Sequence, residues 1–175
     1  MDSESTARIT SPGNPRVKWL AGLRKRRTRD AEGATLVEGL EEITLALDAG
    51  VEPLALYHCP GLVRNHDAPT MLQRAADTGA EVVELASAAF AKASYRETPD
   101  GWLMVAPTPD CALRSIELGA DPLVLVCEGI EKPGNLGAIL RTAEAAGVDA
   151  VVAASPVADW GNPNVVRASL GTVFA

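Results

Sequence analysis

From residue 34 onward the chain alternates short apolar runs of strand length with amphipathic stretches of helix length, and glycine follows several of the latter. Ala34-Thr35-Leu36-Val37, Leu54 to Cys59, Glu81 to Leu85 and Trp102 to Ala106 have the character of strands. Leu40 to Ala49, residues 68–78 and Ser87 to Ser94 read as helices, with Gly50 and Gly79 as closing caps and Ser87 as an opening one. Such alternation predicts a three-layer α/β unit with a largely parallel sheet. Pro107-Thr108-Pro109-Asp110 breaks both periods and is the expected boundary. A second series then begins: Leu123 to Cys127 is a continuous apolar run, as in a strand covered on both faces, and Ala150 to Ala154 is a further strand. The predicted parts are a basic helix within 1–30, an α/β unit over 31–106, and the first part of a doubly wound α/β domain over 107–175.

Of 175 residues 47% are hydrophobic, enough for a packed core, and no apolar run approaches the roughly 20 residues that cross a bilayer. The opening Met-Asp-Ser-Glu-Ser-Thr lacks the basic-then-apolar order of a secretory signal, so a cytoplasmic protein with no membrane partner is expected. Cys59, Cys111 and Cys127 are odd in number and widely spaced, which fits free thiols better than a disulfide or zinc framework. His58, Cys59 and His66 have no regular ligand spacing, and no metal site is expected.

The net charge of −7 conceals an asymmetry: residues 1–30 carry eight basic and three acidic side chains, the remainder eight basic and twenty acidic. An acidic body repels a polyanion, so nucleic acid would have to be met by localised basic patches. Asn14-Pro15 is a good helix opening, and a helix over about 15–29 would place Arg16 and Lys18 early and Arg24, Lys25, Arg26, Arg27 and Arg29 at its end. That basic end is either matched to the helix dipole in solvent or aimed at phosphate. The loop Ser94 to Gly101 offers Tyr95 for base stacking and Arg96 for phosphate, or is an ordinary turn before the Trp102 strand. Trp19 and Trp102 read as core anchors.

The most informative stretch runs from Glu128 to Gly147, a strand-to-loop-to-helix junction at the carboxyl end of a strand, where open α/β sheets bind ligands. Asn135 stands where a helix N-cap belongs, while Leu136, Ile139, Leu140, Ala143 and Ala146 make the packing face. Arg141 falls off that face, one turn beyond Gly137. Without a side chain at Gly137, the guanidinium could fold over the helix start toward an anion; alternatively it pairs with Glu144 in solvent.

Asn135-Leu136-Gly137-Ala138-Ile139-Leu140-Arg141, ending in Gly147, resembles the N-x-G-x-x-x-R motif of the SpoU branch of the SPOUT RNA methyltransferases, and Arg167-Ala168-Ser169-Leu170-Gly171 resembles that family's R-x-S-x-G segment. Thr35 to Gly39 and the alternating unit to about residue 106 look like the RNA substrate-binding domain that precedes many such catalytic domains, and Ile9 to Lys18 is similar to their opening helix. The resemblance implies methyl transfer from S-adenosylmethionine to a ribose 2′-hydroxyl of structured RNA, ribosomal ahead of transfer RNA, by a homodimer. It assigns Asn135 and Arg141 to catalysis. Arg16, Lys18, Arg24, Lys25, Arg26, Arg27, Arg96, Arg167 and Ser169 become candidate RNA contacts. The family's two closing motifs, which form a knot and build the cofactor pocket, have no counterpart here, so the cofactor residues are expected outside these 175, and these 175 alone are expected to be inactive. A fragment of a longer enzyme, a natural truncation that only binds RNA, and completion by another polypeptide are the three accounts of that gap. On each of them the last strand and the apolar face of 136–146 are under-covered, and self-association is expected. A non-catalytic RNA-binding module, or a nucleotide-binding protein using Gly134 to Arg141 for phosphate, is the competing class of function.

Overall fold

Asn14 accepts a hydrogen bond from the Arg16 N–H at 2.8 Å, Pro15 occupies the first helical position, and α1 runs Pro15–Gly22. The computed structural model describes residues 7–64, 68–154 and 159–175. The expected single helix over 15–29 is instead two, α1 and α2 (Arg26–Glu32), broken at 23–25. The break turns Arg29 inward, where it is 1% exposed and donates to the carbonyl oxygens of Leu23 and Arg24, both at 2.8 Å. Carbonyls released by the break are thereby satisfied.

The remaining elements follow in order: β1 (Ala7–Ile9), β2 (Ala34–Glu38), α3 (Leu40–Asp48), β3 (Ala55–His58), α4 (Ala68–Asp77), β4 (Glu81–Leu85), α5 (Ser87–Ala93), β5 (Trp102–Pro107), β6 (Val124–Glu128), α6 (Pro133–Ala145), β7 (Ala150–Ala154) and α7 (Pro163–Ala168). Short 3₁₀ turns occupy Leu113–Ser115 and Thr172–Phe174. Ala86, not Ser87, is the residue flanking α5. Strand β1 was not anticipated: three residues are too few for a periodic signal.

Five strands form one sheet in the order β1-β4-β3-β5-β2, and β6 and β7 pair parallel in a second. The first sheet is mixed: β1, β4 and β3 are parallel neighbours, while β5 runs antiparallel to both β3 and β2. Its pleat sorts side chains with period two. Leu36, Tyr57, Leu103 and Val105 face α1 and α5; Val37, Leu56, Trp102 and Met104 face α3 and α4. Three layers therefore close around this sheet, with Trp102 in the core and Trp19 packed at its edge. Strand β6 departs from expectation. Leu123 to Val126 are 36–64% exposed, because only one partner strand lies beside them among the described residues.

At the carboxyl end of β3, His58 is buried and stacks against Trp102 with ring centroids 6.1 Å apart. Burial holds its imidazole below the ordinary value of 6.5, against the opposing influence of Glu84. Between that lower value and 6.5 the unfolded chain binds more protons. The contribution to stability is thus fully present above the unfolded value and lost as pH falls through the folded one. His58→Gln should lose less stability than the parent between about pH 7.5 and about pH 5, read as urea midpoints. Equal losses in both proteins would remove His58 from the pH dependence.

Candidate functional site

The junction singled out in the sequence is built by β6, which delivers the chain through Gly129 (φ +67°) into α6. Lys132 is the residue flanking the helix and Pro133 its first position, so Asn135 lies inside the first turn and is not the N-cap. Proline at the first position starts the helix three residues earlier than capping by Asn135 would. Asn135 and Arg141 are both exposed. Among the described residues Arg141 has no hydrogen-bond or ion-pair partner, so the solvent pair with Glu144 does not form.

Gly137 serves a different purpose from the one its spacing implied. It is buried in the α6–α7 contact, where a Cβ would stand 2.5 Å from the Ala168 Cβ, 2.7 Å from the Ser169 nitrogen and 2.8 Å from the Val165 carbonyl oxygen. The glycine lets two helix backbones approach, and the room it makes is filled by α7. Arg141 projects from a neighbouring, solvent-facing part of α6.

Helix α7 is capped by Asn162, whose side chain accepts from the Asn164 N–H at 2.9 Å ahead of Pro163. Arg167 is exposed; Ser169 is fully buried, with its hydroxyl donating to the Val166 carbonyl at 2.9 Å. As placed, Ser169 holds the end of α7 and its side chain is not exposed. Gly171 (φ +86°) passes so close to α3 that a Cβ would lie 2.9 Å from the Glu42 carbonyl oxygen.

The basic candidates divide into spent and available groups. Arg16 donates to the Tyr57 hydroxyl at 2.5 Å and to both oxygens of Glu81, and lies over the Tyr57 ring at 5.1 Å. That hydrogen bonding holds the Glu81 carboxyl below its usual range and raises Arg16 further. Arg24 donates to the carbonyls of Lys92 (2.9 Å), Ala93 (3.1 Å) and Ser94 at the end of α5. Arg96 is paired with Glu42. Lys18 on α1, Lys25 in the break and Arg26 and Arg27 on α2 are exposed, with only a 3.6 Å contact from Arg26 to Asp30 among the described residues. Intramolecular acceptors thus remove Arg16, Arg24 and Arg96 from the freely projecting set, since a guanidinium's donors are finite.

Tyr95 is likewise committed. Its ring packs on the core, its hydroxyl donates to the Pro163 carbonyl at 3.2 Å, and burial pushes its phenol upward. A ring held this way is not a free stacking platform. Beside it lies a residue that the sequence reading did not single out. Glu38, fully buried at the end of β2, accepts from the Ser94 hydroxyl and from the Tyr95 N–H at 2.9 Å, and burial raises its carboxyl. An acid closing an otherwise apolar strand was the available signal. Arg29 was missed for a better reason: nothing in a run of five basic residues marks the one that turns inward to pair with Asp159.

Among the described residues no group of three or more His, Cys, Asp or Glu is placed to hold a metal, and no helix is long and apolar enough to cross a membrane. Cys59 is buried beside the Ser87 hydroxyl at 3.7 Å, and His66 lies outside the described residues. The hollow at the junction, lined by Gly129, Ile130, Glu131, Lys132, Asn135 and Ile139, holds about 280 Å³.

An α/β unit followed by a strand-loop-helix junction carrying N-x-G-x-x-x-R is the arrangement that the resemblance to RNA methyltransferases implies. Residues 14–104 match the MRM3-like substrate binding domain and residues 122–175 the SpoU rRNA Methylase family. The chain belongs to the SpoU methylase family, with an MRM3-like substrate-binding domain at its amino-terminal side. It is 33% identical over 168 residues to an uncharacterised tRNA/rRNA methyltransferase of Synechocystis, covering 95% of this chain and 59% of the relative. It is 30% identical over 168 residues to a 23S rRNA guanosine 2′-O-methyltransferase of Bacillus subtilis, covering 95% and 62%. Among solved structures, the AdoMet-bound rRNA methyltransferase of Sinorhizobium meliloti superposes with a TM-score of 0.83 at 27% identity, over 96% of this chain and 62% of that one. The chain therefore spans less than two thirds of each of these relatives.

Proposed function

We propose that the protein transfers a methyl group from S-adenosylmethionine to a ribose 2′-hydroxyl of structured RNA, ribosomal RNA ahead of transfer RNA. The single observation that carries this reading is the N-x-G-x-x-x-R segment at the end of β6, with Asn135 and Arg141 both presented to solvent. The 2′-O-methyltransferase relatives and the AdoMet-bound neighbour support the reaction and the methyl donor.

Arg141 is the catalytic residue in this account. A guanidinium, with a pKa above about 12, keeps its proton at neutral pH and is a poor general base. Its fork of donors suits it instead to orient the 2′-hydroxyl, engage a neighbouring phosphate and offset charge as the hydroxyl proton leaves. Asn135 shapes the adjoining loop. S-adenosylmethionine, when bound, supplies the methyl group. The same reading places the substrate-binding domain over 31–106 and the methylase portion over 107–175, and it includes a homodimer acting in the cytoplasm.

RNA is met by Lys18 of α1, Lys25 of the break, Arg26 and Arg27 of α2, and by Arg167. Binding to a structured ribosomal RNA fragment should weaken steeply with salt. Neutralising Lys18, Lys25 and Arg27 to glutamine should make the log–log salt slope shallower by about 2, on the order of 0.7 for each phosphate no longer neutralised. Fluorescence anisotropy at several salt concentrations reads this directly, and an unchanged slope would place the RNA elsewhere.

A further inference from the structure

The segment from Asp159 to Gly171 is gripped from two sides. Val166 is fully buried in the core of the five-stranded unit beside Val37, Ile43 and Met104, whereas Val165 packs with Leu136 and Leu140 of α6. Three polar ties reinforce the first side, each from a different element. Arg29 of α2 pairs with Asp159, the Thr35 hydroxyl of β2 donates to the Gly161 carbonyl at 2.6 Å, and the Tyr95 hydroxyl beyond α5 donates to the Pro163 carbonyl at 3.2 Å. All three land on the five residues 159–163 that lead into α7. Helix α6 then leans on α7 at Gly137.

The covalent connection between the two sheets has no comparable hold. Residues 108–123 contain one short 3₁₀ turn, none of them is buried, and Leu113 and Leu118 are largely exposed. Such a segment does not fix an orientation.

We infer that Arg29, Thr35 and Tyr95 are positioning residues: they clamp the 159–163 loop and α7 onto the substrate-binding unit, and α7 in turn sets where α6 and Arg141 stand relative to bound RNA. The importance given to Arg141 rests on the methyl-transfer reading; the clamp itself does not. Arg29 is the most exacting of the three. Its guanidinium is buried and divides its donors between the carbonyls of Leu23 and Arg24 and the carboxylate of Asp159, so removing the carboxylate charge leaves a buried cation without its counter-ion.

The test is a double electron–electron resonance distance between labels on Lys92→Cys and Glu144→Cys, in the full chain with Cys59→Ala, Cys111→Ser and Cys127→Ala. The clamp predicts one narrow distribution. Combining Tyr95→Phe, Thr35→Val and Asp159→Asn should make it about twofold or more broader, as a released hinge does, while near-ultraviolet dichroism shows the sheet core intact. Asp159→Glu in place of Asp159→Asn should restore part of the narrowness, which a general loss of stability would not. If the triple variant fails to fold, Tyr95→Phe with Thr35→Val, which removes only one hydroxyl and exchanges another for a methyl, carries the same prediction. An unchanged width in the variants, or a broad distribution in the parent, overturns the clamp. RNA affinity measured on the same samples separates the two ideas: its absence in the parent contradicts the methyl-transfer reading while a narrow distribution still supports the clamp.

Discussion

Replacing Gly137 by alanine should destabilise the α6–α7 contact by about 2–3 kcal/mol, the upper range for adding a methyl group to a closed interface. The added Cβ would meet the Ser169 nitrogen at 2.7 Å and the Val165 carbonyl oxygen at 2.8 Å, and backbone atoms cannot rotate out of the way as a flexible side chain can. On an exposed helix the same change would stabilise by about 1 kcal/mol through helix propensity. The sign of the effect therefore reports whether α6 and α7 are in contact in solution. Hydrogen exchange should show faster opening of α6, with β2, β3 and β5 little changed. Slower exchange or a raised urea midpoint would mean that Gly137 faces solvent and the helix pair does not form as described.

Arg141→Ala should lower methyl transfer by about 10²–10³-fold or more, the scale on which loss of a single charge-stabilising donor is felt. Because the side chain is exposed and makes no intramolecular polar contact among the described residues, its removal should leave the urea midpoint within about 0.5 kcal/mol of the parent. Arg141→Lys should recover little, since a single ammonium cannot reproduce the planar fork. Single-turnover transfer to a structured ribosomal RNA fragment, with stability measured on the same preparation, distinguishes a chemical role from a folding one. Parental turnover by the folded alanine variant would remove Arg141 from the mechanism.

Much of the fold was legible because burial imposes a period. The runs at 34–37, 81–85 and 150–154 are strands in the structure, and Leu36 and Val37, or Leu103 and Met104, pack on opposite faces as pleating requires. Strand direction was not legible. The chain leaves α5 at the carboxyl end of the sheet, where the Ser94 hydroxyl meets Glu38 at the end of β2, so β5 begins at that end and must run antiparallel to β2. Nothing in the apolar pattern of 102–106 records where the preceding loop delivers it.

The candidate site was legible as a motif and less so as geometry. Asn135 and Arg141 are presented as the junction required, but Gly137 faces α7 instead of opening a path for the guanidinium. The basic residues show the same limit. Composition locates a positive patch in the first thirty residues, yet which arginines are free depends on acceptors distant in sequence: Glu81 for Arg16, the carbonyls of 92–94 for Arg24, and Asp159 for Arg29. Long-range pairs of this kind leave no local period to read.

The most direct test of the account is the identity of the methylated product. Protein purified in the length that the cell makes is incubated with labelled S-adenosylmethionine and structured ribosomal RNA, and the RNA is then digested to nucleosides. Label should appear in a ribose 2′-O-methylated nucleoside, in an amount that collapses with Arg141→Ala. Label on a base, or transfer that is indifferent to Arg141, would contradict the assignment of Arg141 to a ribose hydroxyl and with it the function proposed for this chain.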